Sequence, residues 1–182
     1  MNTEIGTDLI TAIDYLTQGQ LVAIPTETVY GLAANALNAD AVLKIYAAKN
    51  RPQFNPLILH VASFEQAKQF INTIPTEAEQ LAATFWPGPL TMLFPKQEIV
   101  PDLVTAGSKR VAIRVPNHPL TLQLLSQLDF PVAAPSANTS GYVSPTTAQH
   151  VYEGLHNKIP YILDGGACGV GVESTIVGWN DE

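Results

Sequence analysis

Only nine of the 182 residues are Lys or Arg, so the places where they gather bear on anion binding. Lys49 and Arg51 fall where a predicted helix gives way to a proline loop, and Lys109, Arg110 and Arg114 surround one predicted strand. Lys44, Lys68, Lys96 and Lys158 read as ordinary solvated positions. Alternation along that strand puts Arg110, Ala112 and Arg114 on one face, opposite Val111, Ile113 and Val115. Two arginines on one side of a strand make either an anion site or a solvated sheet face. Lys49 and Arg51 admit the same two readings, because the C-terminal end of a helix dipole favours cations.

Short polar side chains form a second kind of candidate. Ser136-Ala137-Asn138-Thr139-Ser140-Gly141 directly follows a predicted buried strand. Loops at the carboxyl ends of strands are the usual ligand edge of an α/β sheet, where hydroxyls and amides can bond phosphate or ribose. The same residue types also stabilise plain turns by bonding their own backbone. Pro25-Thr26-Glu27-Thr28-Val29-Tyr30-Gly31-Leu32 likewise leaves a buried strand. Thr26 and Thr28 project to one side of an extended chain, either toward a small polar substrate or merely as β-formers. Glu27 points the other way and has no readable role.

Several chemistries are excluded or demoted. There is no G-x-x-x-x-G-K-[ST] and no G-x-G-x-x-G opening a helix. No G-x-S-x-G is present, and Ser136 has no evident base. His60, His118, His150 and His156 lack metal-site spacing, so no protein-held metal is expected. The lone Cys168 permits no internal disulfide, fits a reducing compartment, and reads as structural. A net charge of −7 argues against strong non-specific binding of nucleic acid. The start Met1-Asn2-Thr3-Glu4 lacks the basic and apolar runs of a signal peptide. No apolar stretch approaches the roughly 20 residues of a membrane span, so a cytoplasmic location is expected.

These residues need a scaffold, and the hydrophobic pattern supplies one. A helix is predicted over 8–18, with Leu9, Ile13 and Leu16 inward, Thr7 as its cap and Gly19 at its stop. A strand over 21–24 follows. Asn38 caps a helix reaching Asn50, and 57–61 is a strand. Ser63-x-x-Gln66 and Thr76-x-x-Glu79 match the capping box, so two helices follow, the second ending at Trp86-Pro87-Gly88-Pro89. Strands are predicted over 90–94, 111–115, 131–134, 161–163 and 175–177, and helices over 119–128 and 147–154. Connections of both helical and direct kinds predict one α/β domain with a mixed sheet.

Taken together, the segments resemble a known family. Pro25 to Leu32, Lys49-Asn50-Arg51-Pro52 with Asn55-Pro56-Leu57-Ile58, and Trp86-Pro87-Gly88-Pro89-Leu90-Thr91 are similar to the threonylcarbamoyl-AMP synthase family with its YrdC-like domain. Ala134-Pro135-Ser136-Ala137-Asn138 and Gly171-Val172-Glu173-Ser174-Thr175-Ile176 continue the likeness in the same order, over residues 8 to 178. The resemblance implies a single α/β domain, spanning 1–182, whose twisted mixed sheet and flanking helices surround a deep, positively charged concave cavity. It implies a nucleotidyltransferase that joins L-threonine, bicarbonate and ATP with release of pyrophosphate. A partner transferase then passes the threonylcarbamoyl group to tRNA.

Residue by residue, the resemblance assigns ATP to Lys49, Arg51, Asn55, Ser136, Asn138 and Ser144, with Lys49 and Arg51 catalytic. It assigns threonine to Thr28, His60, Arg114, the backbone of Ala134, and Ser174. Mg2+ is expected only through the ATP phosphates, and no organic prosthetic group is expected. A planar guanidinium such as Arg114 suits a carboxylate. No side chain stands out as a nucleophile, which fits catalysis by positioning. Two departures follow. Relatives often carry a small hydroxyl residue where Arg110 stands, and they continue into an R-x-G element and in some cases a second C-terminal domain. Neither of these lies within a sequence that stops at Asn180-Asp181-Glu182. Two other functions remain open at this point: a double-stranded RNA-binding module, with weak RNA binding, and the carbamoyl-adenylate-forming domain of a hydrogenase maturation factor.

Overall fold

The computed structural model describes residues 2–179; the expectation made at Asn180-Asp181-Glu182 lies outside them. In chain order the first elements are β1 (Glu4–Gly6), α1 (Leu9–Thr17), β2 (Val22–Ile24), β3 (Gly31–Asn35), α2 (Ala39–Lys49) and β4 (Ile58–His60). Next come α3 (Phe64–Lys68), α4 (Thr76–Phe85), β5 (Leu90–Pro95), α5 (Asp102–Thr105) and β6 (Arg110–Arg114). The chain finishes with α6 (Pro119–Ser126), β7 (Val132–Ala133), α7 (Ala148–Leu155), β8 (Tyr161–Leu163) and β9 (Thr175–Val177).

The nine strands form one mixed sheet in the order β1-β8-β2-β3-β7-β4-β6-β5-β9. Period-two alternation divides its side chains between two apolar layers. Ala23, Leu32, Ala34, Leu59 and Ile113 pack with α2, α4 and α7, whereas Val22, Ile24, Ala33, Val132 and Leu163 pack with α1 and α6. Helices therefore cover both faces, as a largely buried sheet requires. Among the described residues no helix is long and apolar enough to cross a membrane.

Local chemistry explains where the expected boundaries moved. Asp8, not Thr7, caps α1, because its carboxylate accepts from the backbone N–H of Thr11 at 2.9 Å and from the Thr11 hydroxyl at 2.6 Å. Ser63 caps α3 as expected, accepting from Gln66 N, while the Gln66 side chain accepts from Ala62 N. The Thr76-x-x-Glu79 box does not form. Pro75 takes the capping position at φ −63°, leaving Thr76 already helical and without a cap to make. β3 had no counterpart in the sequence pattern, since Gly31-Leu32-Ala33-Ala34-Asn35 has no β-branched residue. β1 and α5 were likewise unforeseen, being only three and four residues long.

The sheet order matters for the site. β3, β7, β4 and β6 are consecutive neighbours at its centre, and β4 runs parallel to β6 with His60 opposite Arg114. Gly31 bridges Ser136 across the start of β3 and the exit of β7. Segments far apart in sequence, around residues 28, 60, 114 and 136, are thereby brought together.

Candidate active site

Arg114 ends β6, and only 4% of it is exposed. Its Nε donates to the Gly88 carbonyl at 3.2 Å and its Nη1 to the Thr28 hydroxyl at 3.0 Å. Nη2 lies 2.7 Å from a carboxylate oxygen of Glu27. The Trp86–Pro89 turn presents the Gly88 carbonyl, and the Gly88 N–H is held by Val115 O at 2.8 Å. A Cβ at Gly88 would stand 2.2 Å from the Phe85 carbonyl oxygen, so only glycine fits there.

Thr28 has a fixed hydroxyl orientation. Thr26 Oγ1 donates to Val29 O at 2.6 Å, so in its 2.9 Å contact with Thr28 it is the acceptor. Thr28 Oγ1 then donates to Thr26 and accepts from Arg114, which leaves one lone pair for a ligand. Thr26 also accepts from the N–H groups of Thr28 and Val29, so it organises the turn and is not simply a β-former.

His60, at the end of β4, is buried, and its Nδ1 lies 3.2 Å from the Ile58 carbonyl. A carbonyl only accepts, which assigns the proton to Nδ1 and leaves Nε2 an acceptor. Burial, and then the neighbouring Arg114 charge, pull the imidazole down to about 3, against a weaker upward pull from the Ile58 carbonyl. The ring is neutral at physiological pH. Ser174 Oγ lies 2.7 Å from the hydroxyl of the buried Thr91.

Thr28, His60, Arg114, Ala134 and Ser174 all line one half-enclosed cavity of about 70 Å³, and Ser136 is part of the same lining. Every residue expected around the amino acid is present there. The charge is not as expected. Arg114 is the lone cation of this lining, Glu173 lies at its rim, and Glu27 backs the guanidinium. With one cation beside two carboxylates, the cavity is not strongly positive.

The residues expected around ATP spread over four places. Ser136 faces the half-enclosed cavity, whereas Asn138 and Ser144 line an adjoining open cleft of about 620 Å³ with Tyr142, Val143, Pro145 and His150. The Ser144 hydroxyl donates to the Glu173 carboxylate, joining the cleft to the cavity rim. Asn138 Nδ2 pins the loop by donating to Thr139 O at 3.0 Å and Tyr142 O at 2.7 Å. Lys49 lines neither space. It is 1% exposed, and its Nζ donates to the carbonyls of Ser136 and, at 2.6 Å, Asn138. Burial, and then the Arg51 charge, pull its ammonium down to about 8.

Arg51 donates from Nη2 to Pro56 O at 3.2 Å, and burial lowers its pKa from the ordinary value. The Asn55 carbonyl accepts from the Tyr46 hydroxyl at 3.1 Å. Both residues stand in the 50–56 loop, and neither lines the cavity or the cleft. Arg110 is also absent from both linings, so the two-arginine strand face is split. Among the described residues no group of three His, Cys, Asp or Glu could hold a metal ion.

Glu27, Gly88, Thr91 and Glu173 escaped sequence reasoning. Glu27 was assigned outward by alternation, but residues 27–29 bend, and the bend turns its carboxylate to Arg114. The one signal was an acidic residue flanked by two threonines at the exit of a buried strand.

The Sua5/YciO/YrdC family, described as "Telomere recombination", matches residues 14–182. The chain belongs to that family. It is 54% identical over 166 residues to the threonylcarbamoyl-AMP synthase of Pyrococcus abyssi, covering 91% of this chain and 49% of that protein. The Bacillus subtilis enzyme of the same name is 51% identical over 168 residues, covering 92% and 49%. The chain thus spans about half the length of these curated relatives. Crystallised P. abyssi Sua5 complexed with L-threonine superimposes with a TM-score of 0.92 at 49% identity, covering 98% of this chain and 54% of that one. The mixed α/β architecture of this Sua5-family chain is the one seen in that structure.

Proposed function

We propose that this chain is an L-threonylcarbamoyladenylate synthase, a nucleotidyltransferase that joins L-threonine, bicarbonate and ATP and releases pyrophosphate. The observation that carries the reading is the convergence of Thr28, His60, Arg114, Ala134 and Ser174 on one half-enclosed cavity. Support comes from a relative of high structural similarity that binds L-threonine.

Each side chain has a task that follows from its geometry. Arg114 has five N–H groups, and its clamps leave N–H groups for a substrate carboxylate. A charge-assisted contact of this kind contributes about 1.5–3 kcal/mol. The remaining lone pair of Thr28 and the Nε2 of neutral His60 are acceptors for the amine and hydroxyl of threonine. Ser174 and Ala134 complete the lining around the substrate. Oriented this way, the threonine ammonium gives up a proton that leaves with one bicarbonate oxygen as water. The free amine adds to the resulting CO2 with loss of a second proton to give a carbamate, whose oxygen attacks the α-phosphorus of ATP and expels pyrophosphate.

The open cleft beside the cavity suits the nucleotide, with Ser136, Asn138 and Ser144 bonding it and Arg51 and Asn55 closing over its phosphates. Lys49 acts from beneath, placing a positive charge under the Ser136–Asn138 carbonyls. Mg2+ bound with the ATP phosphates would supply positive charge to stabilise the pyrophosphate leaving group. Catalysis is by positioning and electrostatics. We take 1–182 as one catalytic domain, acting in the cytoplasm and passing its product to a tRNA threonylcarbamoyl transferase. Pyrophosphate release that requires both threonine and bicarbonate tests the reading; release independent of threonine refutes it.

A further inference from the structure

Glu27 is placed in a way that mere packing does not explain. Both of its carboxylate oxygens are shielded from solvent and accept no hydrogen bond, and Nη2 of Arg114 makes none either. The two groups meet as an ion pair, 2.7 Å apart. Buried charged groups left this way are costly, and a fold keeps them where they do something. The arrangement is held in place on both sides. The Glu27 carbonyl accepts from Val170 N at 2.9 Å and the Thr28 carbonyl from Gly171 N at 2.9 Å, so the 165–174 loop closes over this turn.

Arg114 alone would give the half-enclosed cavity a surplus positive charge and an appetite for any small carboxylate. Glu27 does not line the cavity; it sits behind the guanidinium and cancels that surplus. Glu173, the other acidic group, stands at the solvent-exposed rim and already accepts a hydrogen bond from Ser144, so water screens it. We propose that Glu27 is a specificity-determining residue that acts through Arg114, tuning the pocket to an uncharged whole, the amino-acid zwitterion, against simple carboxylates. A carboxylate ligand needs Arg114, but in a balanced pocket it gains little unless it brings its own ammonium. The inference rests on the threonine reading of this cavity and names what enforces that selectivity.

The test is calorimetric titration of the full chain with L-threonine and with (2S,3R)-2,3-dihydroxybutanoate, which has the same shape with hydroxyl in place of ammonium. Wild type prefers threonine, and Glu27→Gln, which keeps the volume but removes the charge, lowers that preference on the order of ten-fold. Glu27→Asp retains the preference, and Glu173→Gln moves it much less than Glu27→Gln does. An unchanged ratio in Glu27→Gln, a parallel loss of both ligands, or an equal shift in Glu173→Gln overturns the role of Glu27. Should Glu27→Gln not fold, wild type that binds the hydroxy acid as tightly as threonine overturns it just as well. Wild type that binds the hydroxy acid but not threonine refutes the threonine reading itself.

Discussion

The half-enclosed cavity and the open cleft beside it are built in opposite ways. Cavity residues stand at strand ends and are locked by hydrogen bonds before any ligand arrives: Arg114 by Gly88 and Thr28, His60 by Ile58, Ser174 by Thr91. Cleft residues stand on the 138–145 loop and on α7, with Tyr142 76% and Val143 93% exposed, and the nearby candidate Arg51 has its side chain turned back on Pro56. A small polar substrate is recognised by fixed geometry, since few contacts must each count. A large, highly charged one can complete its own site, because phosphates draw mobile side chains toward them. On the proposed function, amino-acid specificity in this chain belongs to the sheet, and nucleotide handling to its surface segments.

If that contrast holds, Arg114→Ala has the largest effect. It removes the carboxylate clamp and strands Glu27 as a buried unpaired charge. We expect the threonine KM to rise about 100-fold and stability to fall by about 3 kcal/mol, read from steady-state kinetics and urea denaturation. His60 gives the next effect, through pH. Its folded value of about 3 lies below the ordinary 6.5, so the unfolded chain takes up the proton first as pH falls. Its contribution is whole above about pH 6.5 and is lost progressively down toward pH 3. His60→Gln should flatten that part of the stability profile, by a few kcal/mol at most, in denaturation curves at stepped pH.

Lys49→Met sharpens the contrast from the other side. It should cut the rate of pyrophosphate release about ten-fold through the Ser136–Asn138 loop, while calorimetry finds threonine affinity within about two-fold of wild type. Equal loss in both readouts would show that the two regions are not separable. Ser144→Ala is the mildest, about three-fold in ATP KM, because its bond to Glu173 is solvent-exposed.

Much of this was legible in the chain. Asn38 and Ser63 announced their helices through capping chemistry that depends only on near neighbours. The alternation of Val111 and Ile113 against Arg114 was equally local, and it correctly put arginine and core on opposite faces. Apart from the local misses at Thr7 and Thr76, what failed depended on distant partners. Lys49 looked like a solvated helix end or a free phosphate ligand, and only the fold reveals the Ser136 and Asn138 carbonyls that bury it. Glu27 was hidden by a bend no single-strand pattern records, and β3 by small residues that make a strand only when neighbours supply the ladder.

The most direct test is binding of L-threonine to the full chain without ATP, set beside Arg114→Ala and Lys49→Met. A cavity assembled in advance predicts saturable wild-type binding that Arg114→Ala weakens about 100-fold and Lys49→Met leaves nearly intact. Threonine binding that appears only when ATP is added, or that both substitutions weaken alike, would contradict it.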